Sequence, residues 1–202
     1  MHDDAMVPDK AETRRAFDRA ADTYDAAAVL QREVGRRLVE RLEIVKLQPD
    51  NVLDIGAGTG ATTRELMQHY PRARFTGVDV APRMLAKARG RAPWLRKLRC
   101  LCADAESLPL RSNSYDLIFS NLAMQWVGDL DRAFREIQRV LRPGGVLMFS
   151  SFGPDTLREL REAWSAVDGY NHVNRFIDLH DVGDAMTRAR LADPVMDMEY
   201  FS

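Results

Sequence analysis

Three glycines separated by single residues, Gly56, Gly58 and Gly60, directly follow a mostly apolar segment at residues 52–55. Glycine tolerates positive φ and lets a ligand approach the main chain closely, so this spacing is typical of a turn that binds a nucleotide-like molecule. The next residues, 61–67, have a helical composition. Because a helix N-terminus presents free N–H groups, we expect a strand, a glycine-rich turn and a helix to form a ligand site together.

Two kinds of ligand compete for this turn. GAGTGA matches the dinucleotide fingerprint G-x-G-x-x-G/A if Ala61 takes the third position. The same residues match the acid-x-G-x-G-x-G turn that binds S-adenosylmethionine (SAM), because Asp54 stands two residues before Gly56. SAM bears positive charges and no phosphate, so a carboxylate favours SAM and would repel a pyrophosphate. The structural alternative is an ordinary strand–helix connection that needs a flexible backbone.

Polar residues follow the next predicted strands at the edge of the sheet where ligands bind in such folds. Asp79 ends the second strand and is expected to accept both ribose hydroxyls, in NAD and SAM alike. After the third strand, Asp104 is expected to accept the adenine amino group while the Ala105 N–H reaches a ring nitrogen. Helix capping is the structural alternative for Asp104. Further cofactor contacts are expected at Asn121, which ends the fourth strand, and at Val80, Met84, Leu122 and Trp126.

Hydrophobic periodicity predicts the elements that position these residues. Apolar residues recur every three or four positions over residues 10–45, with a break near 22–25, which indicates two amphipathic helices. Further helices are predicted at residues 61–67, from Pro82 onward, and at 129–141, 154–167 and 181–189. Strands are predicted at residues 52–55, 74–80, 98–103, 115–121, 146–152 and 194–201, with a sharp turn at 142–145. This alternation predicts a mostly parallel central sheet with helices on both faces.

Composition narrows the class of protein. The chain has 202 residues, 46% of them apolar, which suits one globular domain, and its net charge of −1 argues against nucleic acid as a partner. No apolar run approaches the roughly 18 residues of a membrane span, and residues 1–9 are expected to be a flexible tail rather than a signal peptide. Cys100 and Cys102 are expected to form a reduced, buried pair in the cytoplasm. No Cys/His spacing indicates a metal site.

The order of the motifs resembles the class I SAM-dependent methyltransferases. VLDIGAGTG, the strand ending in Asp79, ADAESLPL, SYDLIFSNLAMQW and a helix–RPGG–strand unit occur in the superfamily's order over residues 50–152. An RPGG turn before a strand is no part of a dehydrogenase fingerprint. The resemblance implies an α/β Rossmann-like fold and SAM as cofactor, with S-adenosylhomocysteine (SAH) as product. Because the superfamily sheet has seven strands, the chain is expected to be C-terminally truncated and to lack the last one.

The flanking segments are similar to the malonyl-acyl carrier protein O-methyltransferases of biotin biosynthesis. FDRAADTYDAAAVLQ near the start, and FGPDTLRELR and HVNRF near the end, extend the resemblance over nearly the whole chain. The resemblance implies a cytoplasmic enzyme that methylates the free carboxylate of a malonyl thioester on acyl carrier protein, or on coenzyme A. Acyl carrier proteins are acidic, and the candidate contacts for one are Arg158, Arg161, Arg188 and Arg190.

The resemblance also implies three regions in one methyltransferase domain over residues 10–202: a helical lid at 10–47, a cofactor-binding core at 50–152 and a substrate-side region at 153–202. Tyr24 would lie in the lid beside the cofactor. Arg175 is the candidate for gripping the substrate carboxylate, because a guanidinium binds a carboxylate through two parallel hydrogen bonds. That carboxylate is already ionised at neutral pH, so catalysis needs alignment rather than a general base. The structural alternatives are helix packing for Tyr24 and a surface ion pair for Arg175.

Other functions are open on the sequence alone. A related SAM-binding family, an assembly factor for respiratory complex I that acts on a protein arginine, shares the DLxRAF and FGxDTLxELR features. Another small carboxylic acid could also be the acceptor. The glycine turn by itself allows an NAD-dependent oxidoreductase, and a chain without its last strand could be a binding module that lacks catalytic activity.

Overall fold

A computed structural model of the chain describes residues 9–94, 96–167 and 176–201. The helices are α1 (Lys10–Ala20), α2 (Tyr24–Ala27), α3 (Val29–Arg41), α4 (Ala61–His69), α5 (Pro82–Arg91), α6 (Leu130–Val140), α7 (Arg158–Ser165) and α8 (Leu179–Arg188), with a 3₁₀ turn at Met124–Trp126. The strands are β1 (Asn51–Ile55), β2 (Arg74–Asp79), β3 (Leu98–Cys102), β4 (Tyr115–Asn121) and β5 (Leu141–Ser150). The predicted alternation of strands and helices between residues 51 and 150 is confirmed.

The five strands form one sheet in the order β3-β2-β1-β4-β5, and every neighbouring pair is parallel. The chain leaves β1 toward one edge, through β2 and β3, and then returns to β4 on the other side. This reversal lies beside the carboxyl end of β1, which is where open α/β sheets form their ligand crevice. The predicted Rossmann-like fold class is confirmed.

Two hydrophobic clusters cover the two faces of the sheet because successive strand residues point to opposite sides. Leu53 and Ile118 belong to the cluster that also contains residues of α6 and α8. Val52 and Leu117 belong to the cluster that contains residues of α3, α4 and α5. Helices therefore flank both faces, as predicted.

The N-terminal region forms three helices, and the predicted helix over residues 10–45 ends early, at Arg41. The N–H groups of residues 42–45 bond to carbonyls three residues back, which tightens the chain into turns instead of continuing α3. Asp9, the last residue of the predicted tail, is the N-cap of α1: its carboxylate accepts the N–H groups of Ala11 and Glu12. The rest of the predicted tail, residues 1–8, lies outside the described residues.

The predicted sharp turn at residues 142–145 is a bulge inside β5 rather than a connection before it. Tyr115 pairs with Leu141 and Leu117 pairs with Val146, so four residues of β5 stand opposite a single residue of β4. Gly144 adopts a φ of 76°, which only glycine adopts readily. The bulge lets the chain enter the sheet directly from α6.

Two predictions near the C-terminus are wrong. The helix predicted from residue 154 begins at Arg158, because Leu157 is left-handed with a φ of 57° and cannot continue a helix upstream. The strand predicted at residues 194–201 is absent from the described part of that segment. It lies instead against α3, where Arg37 and Arg41 bind the carboxylates of Asp197 and Glu199, so it has no neighbouring strand to pair with.

The expected buried cysteine pair is also corrected. Cys102 is exposed and Cys100 is half-buried, because β3 is an edge strand with one side unpaired; both thiols are free. Within the described ranges, no helix has the length and apolar character that a membrane crossing requires.

Candidate cofactor and active site

The three glycines after β1 all have positive φ, and each has a different structural role. Their φ values are 74°, 54° and 79° for Gly56, Gly58 and Gly60. A Cβ on Gly56 would lie 2.2 Å from the Ala123 side chain, and one on Gly60 would lie 2.8 Å from Ala88 of α5. A Cβ on Gly58 would meet only the Gly56 carbonyl, at 3.9 Å. Gly56 and Gly60 therefore allow close packing of the turn, and Gly58 leaves space for a ligand.

A cleft of about 840 Å³, part of it open to solvent, lies at the carboxyl ends of the strands and is roofed by the N-terminal helices. The predicted site residues that line it are Tyr24, Gly56, Gly58, Asp79, Val80, Met84, Asp104, Ala105, Asn121, Leu122 and Trp126. Asp54 and Gly60 do not line the cleft, and Arg175 lies outside the described residues. The cleft has the size and position expected of a cofactor site.

Asp79 joins the end of β2 to the glycine turn. Its Oδ2 accepts the Gly58 N–H at 2.9 Å, and its Oδ1 accepts the Ala81 N–H at 2.8 Å. Burial raises the pKa of Asp79, although these backbone hydrogen bonds act in the opposite direction. Each carboxylate oxygen has one more lone pair, so Asp79 can still accept two hydroxyl groups from a ligand in the cleft.

Asp54 is buried behind the glycine turn. It shares a strand face with Val52 because β-strand side chains alternate, and so it points toward α4. There its Oδ2 accepts the Thr63 hydroxyl at 2.5 Å. Burial raises the pKa of Asp54 to about 7, and the nearby Asp79 charge adds to the effect. In this arrangement Asp54 connects β1 to α4 behind the glycine turn.

Asp104 and Ala105 form the far end of the cleft, after β3. Asp104 Oδ1 accepts the Glu106 N–H at 2.9 Å, and Asp104 Oδ2 accepts Lys10 Nζ at 2.7 Å. The Ala105 N–H has no acceptor among the described residues. A carboxylate and a free N–H side by side match the donor and acceptor edge of adenine.

Aromatic side chains cover the opening of the cleft. Phe17 of α1 makes edge-to-face contacts with Trp126, at a centroid distance of 5.4 Å, and with Tyr24, at 6.2 Å. Burial raises the pKa of Tyr24, and the charges of Asp79 and Asp25 raise it further, so the phenol stays neutral. Asp25 also accepts the hydroxyl of Thr59 in the glycine turn, at 2.6 Å. The N-terminal helices are thus bonded directly to the turn.

The fourth strand reaches the cleft through Asn121 and Leu122. The Asn121 amide donates to the Gln31 carbonyl of α3 at 2.8 Å, and its Oδ1 accepts the Ser150 hydroxyl. Its side chain is therefore engaged in holding α3 to the sheet. Leu122 has a φ of 48°, a conformation that is strained for a non-glycine residue and is found at ligand sites.

The residues that α1 contributes to the cleft were all missed from the sequence: Lys10, Thr13 and Phe17. Their spacing of three and four positions puts them on one side of α1. That spacing is visible in the sequence, but an amphipathic pattern does not reveal which surface a helix covers.

Two of the four arginines predicted to contact an acyl carrier protein are engaged within the chain. Arg188 pairs with Asp131, and Arg161 donates to the carbonyls of Pro154 and Thr156.

Comparison with known proteins identifies the family. Residues 53–149 match the model of a methyltransferase domain. The chain is 54% identical to the malonyl-acyl carrier protein O-methyltransferase of Halorhodospira halophila, over 98% of this chain and 68% of that protein. It is 52% identical to the enzyme of the same name from Gallionella capsiferriformans, over 98% of this chain and 70% of that protein.

Solved structures agree with the fold. A SAM-dependent methyltransferase from Thermotoga maritima superposes with a TM-score of 0.65 and 25% identity, covering 86% of this chain and 78% of that one. The high identity to the two relatives, extending over more than two thirds of each, includes the segments on both sides of the cofactor-binding core. The chain therefore belongs to the malonyl-acyl carrier protein O-methyltransferase family of SAM-dependent methyltransferases.

Proposed function

We propose that this chain transfers the methyl group of SAM to the free carboxylate of a malonyl group on acyl carrier protein, giving the methyl ester that an early step of biotin synthesis requires. The strongest structural support is a single cleft that is lined by eleven residues predicted as site residues from the sequence. The chain is also 54% identical to a malonyl-acyl carrier protein O-methyltransferase. The biosynthetic role of its relatives supports a cytoplasmic location.

The cleft residues offer polar groups that suit the parts of SAM. Asp79 has acceptor capacity for the two ribose hydroxyls, and Asp104 with Ala105 suits the adenine edge. Gly58 leaves room for the amino-acid tail beside the turn. We assign residues 10–47 the role of a lid over this site, with Tyr24 lining the cleft, and residues 153–202 the role of contacting the substrate.

The reaction needs little from the protein beyond positioning. When bound, SAM supplies a methyl group on a sulfonium, and a carboxylate oxygen forms the new C–O bond as the C–S bond breaks, its electrons staying on sulfur. The acceptor is already an anion, so no proton has to be removed. The lid excludes water and aligns the reactants, which supports an in-line displacement. We assign Arg175 the role of holding the malonyl carboxylate by a two-bond contact.

The test compares acceptors that differ only in the free carboxylate. Purified protein is incubated with methyl-labelled SAM and carrier protein loaded with malonyl or acetyl groups, and with malonyl-coenzyme A in a parallel reaction. We expect label on malonyl-carrier that is released by mild base, as esters are, and none on acetyl-carrier. Equal labelling of both carriers would refute the proposal, and label on malonyl-coenzyme A alone would reassign the substrate.

A further inference from the structure

Lys10, the first residue of α1, bridges two carboxylates at the end of the cleft formed by Asp104 and Ala105. We call this the adenine end, after the group proposed to bind there. Its Nζ lies 2.7 Å from Asp104 Oδ2 and 2.6 Å from Glu106 Oε1. Lys10 also lines the cleft, on the same side of α1 as Thr13 and Phe17. The ammonium therefore connects the roof of the cleft to the wall that contains Asp104.

The contact between Lys10 and Glu106 differs from a surface ion pair because the carboxylate is buried. The residue is only 6% exposed, and its Oε1 accepts the N–H groups of Gly128 and Asp129 at 2.7 and 3.1 Å. In the described part of the chain, Lys10 is the one cationic side chain within ion-pair distance of this carboxylate. Arg132 binds the Glu106 main-chain carbonyl instead. A buried carboxylate with a single cationic partner depends strongly on that partner.

The remainder of α1 is held weakly by apolar contacts. No residue of α1 is buried, and its aromatic contribution is the partly buried Phe17 against Trp126 and Tyr24. At the far end of the helix, Asp18 accepts the Arg83 N–H of α5 at 2.9 Å. Polar contacts thus hold both ends of α1, and the contact at the cofactor end is Lys10.

The Asp104 carboxylate still has capacity for a ligand. Oδ1 accepts the Glu106 N–H and Oδ2 accepts Lys10 Nζ, which leaves a second lone pair on each oxygen of a residue that lines the cleft. The Lys10 ammonium, which donates to Oδ2, fixes the orientation of the Asp104 carboxylate. It also lowers the cost of covering the carboxylate with an adenine ring, because the charge is already paired.

We propose that Lys10 is a cofactor-positioning residue: it fixes Asp104 for the adenine amino group and, through Glu106, closes α1 over the adenine end of the cleft. This inference rests on the proposed use of SAM. In this role Lys10 contacts neither the methyl group nor the acceptor, so it should govern cofactor affinity and not the chemical step. Because the contact is ionic and partly exposed, its effect should weaken with salt.

The test is calorimetry of SAH binding to the full chain at low and high salt. Lys10→Met retains the aliphatic stem and removes the charge, and we expect about tenfold weaker binding at low salt, as loss of a charged hydrogen bond predicts. The salt dependence of the dissociation constant should shrink in the same variant. Lys10→Arg should recover most of the affinity. Arg14→Met, on the exposed side of α1, is the matched control and should bind as the parent does.

Steady-state kinetics separate positioning from a general structural effect. Lys10→Met should raise the KM for SAM about tenfold and leave kcat within about twofold. The inference is overturned if Lys10→Met matches the parent in affinity and salt dependence, or if kcat falls while KM is unchanged. Lys10→Gln gives the same readout should the Met variant not fold. Failure of the parent chain to bind SAH would instead refute the proposed cofactor, so the two failures are distinguishable.

Discussion

The Asp79 carboxylate accepts the backbone N–H of Gly58 across 2.9 Å and so fixes the glycine turn against the end of β2. The same carboxylate bonds to the Ala81 N–H at the start of α5. One half-buried carboxylate thereby sets the relative position of the two main-chain segments that border the end of the cleft where we propose that the ribose binds. The proposed cofactor contacts at this end depend on it.

Replacing Asp79 by Asn should therefore weaken SAH binding about a hundredfold, because the amide retains one acceptor oxygen where the turn and the ribose need two. Isothermal calorimetry measures this directly. Asp131→Asn is the control: it removes a surface carboxylate paired with Arg188, away from the cleft, and should leave affinity unchanged. A dissociation constant for Asp79→Asn within about threefold of the parent would contradict the assignment of this carboxylate.

Asp54 predicts a characteristic dependence of stability on pH. Its folded pKa of about 7 lies above the ordinary value of 3.8, so the folded state binds more protons than the unfolded state between these values, and the contribution of Asp54 falls as pH rises. Relative to Asp54→Asn, the parent should lose up to about 4 kcal/mol of unfolding free energy between pH 4 and 7. Urea unfolding at several pH values gives the difference.

Asp116 serves as a control because its pKa is shifted in the opposite direction from that of Asp54. It accepts the N–H groups of Asp50 and Asn51 and pairs with Arg142, contacts that lower its pKa although burial alone would raise it. The advantage of the parent over Asp116→Asn should be present above the unfolded pKa and disappear as pH falls. Parallel pH profiles for the two variants would contradict the account of Asp54.

Gly60 is required for packing of α4 against α5. An alanine there would place its Cβ 2.8 Å from Ala88 and would have to adopt a φ of 79°, so Gly60→Ala should destabilise the fold by about 3 kcal/mol. Gly90→Ala is a matched control, since a Cβ at Gly90 meets nothing within 4 Å in α5. That change should stabilise the protein by about 0.5 kcal/mol. Equal urea midpoints for the two variants would contradict the packing role.

Arg175 should act on the acceptor and not on the cofactor. Lysine preserves the charge but cannot form two parallel hydrogen bonds to a carboxylate, so Arg175→Lys should raise the KM for malonyl-carrier about tenfold. The same variant should bind SAH with unchanged affinity, which calorimetry checks. Loss of SAH binding together with activity would contradict a role confined to the substrate.

The sheet and much of the cleft follow from the sequence because many of the cleft residues lie at or just after the ends of predicted strands. The glycine spacing predicted Gly58, the strand-end rule predicted Asp79 and Asp104, and their positions in one cleft follow from a parallel sheet. Alternation along β1 could also have shown that Asp54 shares a face with Val52, and so points at α4 rather than into the cleft.

The features that were not predicted from the sequence depend on tertiary contacts. The spacing of Lys10 and Phe17 defines one side of α1, but no local pattern states that this side covers the cleft. Residues 194–201 have strand-like composition, yet Asp197 and Glu199 bind arginines of α3 and draw the segment away from the sheet. The amide of Asn121 is engaged with Gln31, a contact ninety residues apart in sequence.

Locating the transferred methyl group shows whether this chain esterifies the free carboxylate of malonyl-carrier. Malonyl-loaded carrier is incubated with the protein and SAM, and fragmentation mass spectrometry then assigns the added mass. We expect one added methyl on the terminal carboxylate of the malonyl group, formed much more slowly at limiting SAM when Asp79→Asn replaces the parent. A methyl group on a side chain of the carrier, or an unmodified malonyl group after prolonged incubation with active cofactor, would contradict it.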